Sequence, residues 1–164
     1  MRTDDLNELP DWDDHDFDHE SENGHSSPTG IACKAMYAQW NTVMTVLQAA
    51  FDSIPEPGED DIPGKDMLED HMAMVTGDAF ETAVKIKSSE SGNLYIIRME
   101  NAAIIRKNAQ FIKISTNSFI LDGLMDPQHR LIIREEIDKF RALFRAWVAS
   151  FEKDDCEDEW GLFV

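Results

Sequence analysis

The chain reads as an all-α protein, an antiparallel four-helix bundle carrying acidic tails. Three observations carry that expectation. Apolar residues recur at spacings of three and four in four separate segments, the period of one helix face. No Val/Ile/Thr run alternates for long enough to make a strand. The connectors between the segments are short and rich in Pro, Gly, Ser and Asn, and short connectors put consecutive helices antiparallel.

The first helix is expected over about 30–53, where Met36, Trp40, Val43, Leu47, Ala50 and Ile54 form one stripe. The stretch PEPGEDDIPG comes next, and its prolines and glycines predict a loop. A second helix is expected from near Asp66, with Leu68, Met72, Val75, Ala79, Thr82 and Ile86 facing inward and Gly77 marking a kink or break. The segment SSESGN closes it as a turn. A third helix is predicted over 94–121, about 40 Å long. Leu94, Ile97, Asn101, Ile104, Asn108 and Phe111 form its stripe, Tyr95, Met99, Ala102, Ala109 and Ile112 thicken it, and STNSF weakens its last turns. The fourth has the clearest start. Asp126 caps free N–H groups and Pro127 fits the first helical position. Ile133, Ile137, Phe140, Phe144, Trp147 and Phe151 make its aromatic stripe.

Charge is sorted along the chain. The total is −18, yet residues 82–151 hold eleven Lys/Arg against seven Asp/Glu. The acids concentrate in residues 1–25, 52–81 and 152–164. The expected organisation is therefore an acidic, solvated tail over 1–28, a bundle over 29–153 and a second acidic tail over 154–164 that ends in aromatic residues; the alternative for the first tail is that Trp12 and Phe17 dock on a partner or on the bundle, its carboxylates meeting basic helices. An acidic N-terminus without an apolar stretch argues against a signal peptide. No apolar run approaches the ~18 residues of a membrane span, and two separated cysteines do not suggest a disulfide framework. A cytoplasmic protein without membrane contact is expected. An excess of only four positive charges, with the large aromatics on the apolar stripes, argues against direct nucleic-acid binding.

Catalytic and metal motifs are weak. A ferritin-like centre needs Glu-x-x-His pairs on facing helices, and none is present. His15 and His19 lie among carboxylates, but a flexible acidic segment holds metals weakly. Met67, Met72 and Met74 flank His71, and methionine at helical spacing reads as core filler rather than a soft-metal site. Cys33 sits in an apolar helix and Cys156 among acids, both poor settings for a thiolate. No cofactor is implied, and a binding protein is expected ahead of an enzyme.

Two constellations remain. Asn101 and Asn108 fall on the apolar stripe of the third helix beside Glu100. Buried amides need partners, and Arg134, Glu135 and Glu136 would supply them if the third and fourth helices pack antiparallel. That layer is either a small-molecule or metal-binding pocket or a device fixing helix register. The second constellation is terminal: mutually repelling acids over Asp154–Glu159 would hold the tail extended and present Trp160, Leu162 and Phe163 as partner anchors. The bland alternative folds Trp160 and Phe163 back onto the bundle. The leading expectation is a non-catalytic interaction module or subunit of a larger assembly, its acidic tails meeting a basic protein partner or its own basic helices. The alternatives are the ligand-binding bundle and an acidic mimic of nucleic acid.

The run MENAAIIRKNAQFI, the DPQH helix opening, the helix IREEIDKFRALFRAWVASFEK and the ending EWGLF together resemble a group of small bacterial helical proteins with no assigned activity. The resemblance spans roughly the last 75 residues. It implies a helical fold and a bacterial cytoplasmic setting, and no function.

Overall fold

Three of the four helices begin with the same device, an oxygen-bearing side chain followed within two residues by proline. The computed structural model describes residues 9–13 and 27–163. Helix α1 (Pro28–Asp52) is capped by Ser27, whose side chain accepts from the Gly30 N–H at 3.0 Å. Helix α2 (Ile62–Ser88) is capped by Asp61, which accepts from Gly64, and α4 (Pro127–Ala149) by Asp126, which accepts from Gln128. Each cap satisfies an N–H that has no partner within its helix. Helix α3 (Tyr95–Leu121) has no such side chain at its own N-cap, Leu94.

Two expectations about α2 are corrected. The helix starts at Ile62 rather than near Asp66, because Asp61 and Pro63 at the end of the expected loop are a start signal of the same kind as Asp126-Pro127. It also runs unbroken through Gly77. The STNSF segment of α3 likewise stays helical to Leu121. Thr116 returns its hydroxyl to the Lys113 carbonyl at 3.0 Å, so that polar group is satisfied without unwinding the turn. Gly123, at φ +70°, then reverses the chain, and the N–H groups of Leu124 and Met125 return to the Phe119 carbonyl.

The four helices form an antiparallel up-down bundle, and the described residues contain no strand. Helix α1 packs most closely on α4, and α2 on α3; the α1–α2 and α3–α4 seams are looser. The core is built from Met36, Trp40, Met44, Leu47, Ile86, Ile105, Ile112, Phe119, Ile133, Phe140 and Trp147, all essentially without solvent exposure. Trp40 and Phe140 meet at 4.7 Å between ring centroids, and the Trp40 Nε1–H donates to the Ala79 carbonyl at 2.9 Å. The indole thus fills volume and satisfies its one donor.

The face of α3 is rotated by about one residue from expectation. Leu94 and Ile97 are exposed and Ile104 is half-buried, whereas Arg98, Ala102, Ile105 and Ile112 point inward with Asn101 and Asn108. The cause is Arg98. Its Nη2 lies 3.3 Å from Glu90 Oε2 and donates to Asn93 Oδ1 at 2.9 Å, so a cation occupies a buried position that hydropathy assigns to solvent. Of the three methionines near His71, only Met72 packs on the core; Met67 and Met74 are exposed, which corrects the core-filler expectation for both.

Part of the N-terminal region docks on the bundle. The Tyr37 hydroxyl donates to the Pro10 carbonyl at 2.8 Å, the Trp12 and Tyr37 rings lie 5.4 Å apart, and Leu9 and Trp12 pack against the core. Leu9 and Trp12 thus lie against the bundle, as the docking alternative has it for Trp12, while the side chains of Pro10, Asp11 and Asp13 are exposed. His15, Phe17 and His19 lie outside the described residues. No described helix is long and apolar enough to cross a membrane.

Candidate interaction site

The C-terminal segment is the candidate site, and it is built from α4 outward. Ser150 ends the helix, and its carbonyl accepts from the Thr29 hydroxyl at 3.0 Å, tying the end of α4 to the start of α1. The chain then passes the N-terminus of α3. There Asp154 Oδ2 accepts from the Tyr95 N–H at 2.8 Å, supplying from 59 residues away the cap that Leu94 lacks. Its other oxygen accepts from Cys156 N–H at 3.0 Å. These two N–H groups, Tyr95 foremost, hold the Asp154 carboxyl below the usual aspartate value.

Asp158 organises the last residues of the chain. Its Oδ1 accepts from Trp160 N–H at 3.0 Å, and its Oδ2 accepts from Leu162 and Phe163 at 2.7 and 3.0 Å. Its carbonyl accepts from Gly161 N–H at 2.8 Å. Gly161 stands at φ +67°, a conformation that an L side chain rarely adopts. Three N–H groups converge on one carboxylate and hold its pKa down, with Phe163 the largest contributor. The end of the segment is thus a turn wound on Asp158, which begins at the end of the acidic run. On this turn Trp160 is 93 % exposed and Leu162 72 %, while Phe163 is half-buried. Trp160 does not fold back onto the bundle.

The residues of the predicted polar layer are dispersed over two seams and the surface. Asn108 is completely buried, and its Nδ2 donates to Glu81 Oε2 at 2.8 Å and lies 3.4 Å from the Asp78 carbonyl, both on α2. Asn101 Nδ2 lies 3.5 Å from Ser88 Oγ, also on α2. Arg134 instead faces the α3–α4 seam, where it and Arg130 donate to Asn117 Oδ1 at 3.3 and 3.2 Å. Glu100 is exposed. Glu135 pairs with Lys139, while Glu136 accepts from Gln39 of α1 and from Lys139. Helices α3 and α4 are antiparallel as required, but the two amides face α2, so the partners expected on α4 are replaced by partners on α2.

The thiols are poorly placed for nucleophilic chemistry. Cys33 is buried, and desolvation with Glu90 nearby pushes its pKa far up. Cys156 is exposed, and the Asp154 charge raises it too. His71 stacks on Phe119 at 4.3 Å, and His129 Nδ1 lies 3.1 Å from Ser53 Oγ. Among the described residues, no group of three or more His, Cys, Asp or Glu side chains is placed to hold a metal ion.

Sequence reasoning found Trp160 and Leu162 but missed the scaffold beneath them. The signal was available: Asp158, two residues before Trp160 and three before Gly161, is the side chain–backbone turn pattern that Asp favours. Comparison with protein-family models, curated proteins and solved structures finds no match to this chain.

Proposed function

We propose that this protein is a non-catalytic protein-interaction module whose anchor is the Trp160–Leu162 pair. The observation that carries this reading is the contrast between side chain and backbone. The indole of Trp160 is 93 % exposed, while the turn beneath it is held by Asp158 through three backbone N–H groups. Ordering a flexible segment costs binding energy, and a pre-formed turn has already met that cost. Exposed tryptophan is a leading hot-spot residue, typically contributing about 2 kcal/mol or more when it enters a partner's pocket. The acids Asp155, Glu157 and Glu159 beside it favour a partner whose apolar pocket is rimmed by Lys and Arg, and they would accelerate encounter with such a surface.

The test uses a photo-crosslinking amino acid at position 162 of the full chain, expressed in its native cell. A defined crosslinked protein should appear, and Trp160→Ala should abolish it while leaving the melting temperature unchanged. Deleting residues 157–164 should abolish co-purification of the same protein and leave the melting temperature unchanged, because Asp154 and its cap on α3 are retained. A large fall in melting temperature with crosslinking intact would identify the segment as a structural strap instead.

A further inference from the structure

Helix α4 carries Arg130, Arg134, Arg141 and Arg145 at spacings of four and seven, which set them on one strip of its surface. Arg130 and Arg134 reach across the α3–α4 seam to the same atom, Asn117 Oδ1, at 3.2 and 3.3 Å. Neither guanidinium has a carboxylate partner among the described residues. Asp126 is turned to the Gln128 N–H, Asp138 is shared by Lys113 and Arg141, and Asp122 is exposed at the end of α3. Two cations thus crowd one neutral oxygen in a chain that has 33 acidic residues to 15 Lys and Arg. Like charges one turn apart repel, and the Nε of each arginine is buried without a partner. The second Nη of each is neither bonded nor enclosed, and stays at the surface.

Apolar groups flank the pair. Ile114 and Leu121 lie three residues before and four after Asn117, and Leu131 lies three before Arg134, so all three share this face of the seam. All are exposed, Leu121 by 86 %. The result is an aliphatic surface edged by unpaired cations. The C-terminal turn is its complement. It offers exposed Trp160 and Leu162 behind Asp155, Glu157 and Glu159, which are exposed and make no ion pair among the described residues.

The two surfaces of one molecule do not reach each other. Arg130 stands near the start of α4, and the tail leaves from its other end, roughly 28 Å away at 1.5 Å per residue. Asp154 is fixed on the N-terminus of α3, and the chain from there to Trp160 spans at most about 20 Å even when extended. The turn on Asp158 shortens it further. A second copy has no such restriction. Two bundles side by side and antiparallel bring each tail to the other's arginine pair, a reciprocal contact that closes on a two-fold axis. The charge of −18 opposes the approach of two copies. At physiological salt, however, exposed charges more than about 8 Å apart are largely screened, whereas pairs in contact are not.

Resting on the Trp160–Leu162 anchor proposed above, we infer that its partner is a second copy of this chain, whose Arg130–Arg134 face on α3 and α4 receives the turn. The carboxylates beside Trp160 give the two guanidiniums the anions they lack. The indole and Leu162 cover Ile114, Leu121 and Leu131.

The test uses the purified full chain, so that a second copy is the one protein available. Sedimentation velocity should show a dimer that forms as concentration rises. A photo-crosslinking amino acid at position 162 should join two copies, with the crosslinked peptide mapping to residues 114–134. Trp160→Ala, and separately Arg130→Gln with Arg134→Gln, should each weaken dimerisation by roughly ten-fold or more. Both should melt within a few degrees of the parent, because Trp160 is exposed and the arginines contribute no ion pair. Mixing the Trp160→Ala chain with the double-arginine variant carrying the crosslinker should restore crosslinking, since the first keeps the face and the second keeps the tail. A monomer at every concentration, a crosslink to another surface, or undiminished crosslinking in the double-arginine variant alone would overturn the inference, and the crosslink map of the parent needs neither variant to fold. A crosslink in the cell to a different protein, with a purified chain that stays monomeric, excludes the second copy and leaves the interaction-module reading standing. Absence of a crosslink in both settings removes both.

Discussion

The buried Arg98–Glu90 pair offers the sharpest test of how this bundle is held together. The side chains are 8 % and 7 % exposed, and their charged atoms approach to 3.3 Å. At an effective dielectric of ~20, two unit charges at that separation attract by about 5 kcal/mol. Desolvating each ion costs several kcal/mol, so the net contribution of the pair is small. Satisfaction is also incomplete: Glu90 Oε1 and Arg98 Nε have no partner, and Arg98 Nη2 divides its interactions between Glu90 and Asn93. Removing one ion is a different matter. Glu90→Leu strands a guanidinium inside the bundle with Asn93 alone, and should cost about 3–5 kcal/mol. For a folded region of this size that lowers the melting temperature by roughly 10–15 °C. Arg98→Met should cost a similar amount by stranding the carboxylate. The double variant, Glu90→Leu with Arg98→Met, restores an apolar interior and should melt within a few degrees of the parent or above it. Urea denaturation of the four proteins gives the coupling energy directly. Additive losses in the double variant, or a silent Glu90→Leu, would refute the buried-pair account and the corrected phase of α3.

The turn at Asp158 should depend on acid only at low pH. Its folded pKa lies below the unfolded value, so its contribution is complete above about pH 4 and is lost as pH falls through the lowered folded value. The amide signals of Trp160, Leu162 and Phe163 should therefore shift together with a midpoint below that of a free aspartate, and a midpoint at or above the ordinary value would refute the turn. Asn108→Leu should change stability by less than about 1.5 kcal/mol in a urea titration, because Glu81 is exposed and can rehydrate while Asn108 Oδ1 already lacks a partner; a loss near that of a core truncation would show the amide to be essential. Trp12→Ala should lower the melting temperature by several degrees, since the indole packs on Tyr37 and the core, and an unchanged melt would mean that residues 9–13 contribute nothing to stability.

Most of the helical architecture is written locally. The stripes of α1 and α4 come from spacing alone, since Met36, Trp40, Val43 and Leu47 and then Ile133, Ile137, Phe140 and Trp147 are buried residues of those helices. An apolar side chain needs only a helix period to declare which way it faces. The start of α2 was equally local, since Asp61 and Pro63 repeat the signal seen at Asp126 and Pro127. Other features depended on which groups the fold brought together. Arg98 is buried on the inward face of α3, where Glu90 and Asn93 meet it across the turn that precedes the helix. Asn101 and Asn108 announced themselves as buried polar groups, but only the packing of α2 on α3 decided that Ser88 and Glu81 would answer them. The tail shows the same division. Its exposed Trp160 and Leu162 are legible as residues and their turn is held locally by Asp158, whereas only the fold brings Asp154 to the N-terminus of a helix 59 residues earlier. Hydropathy is a property of one residue, whereas satisfaction of a charge or an N–H is a property of two, and the second is settled only when the chain has folded.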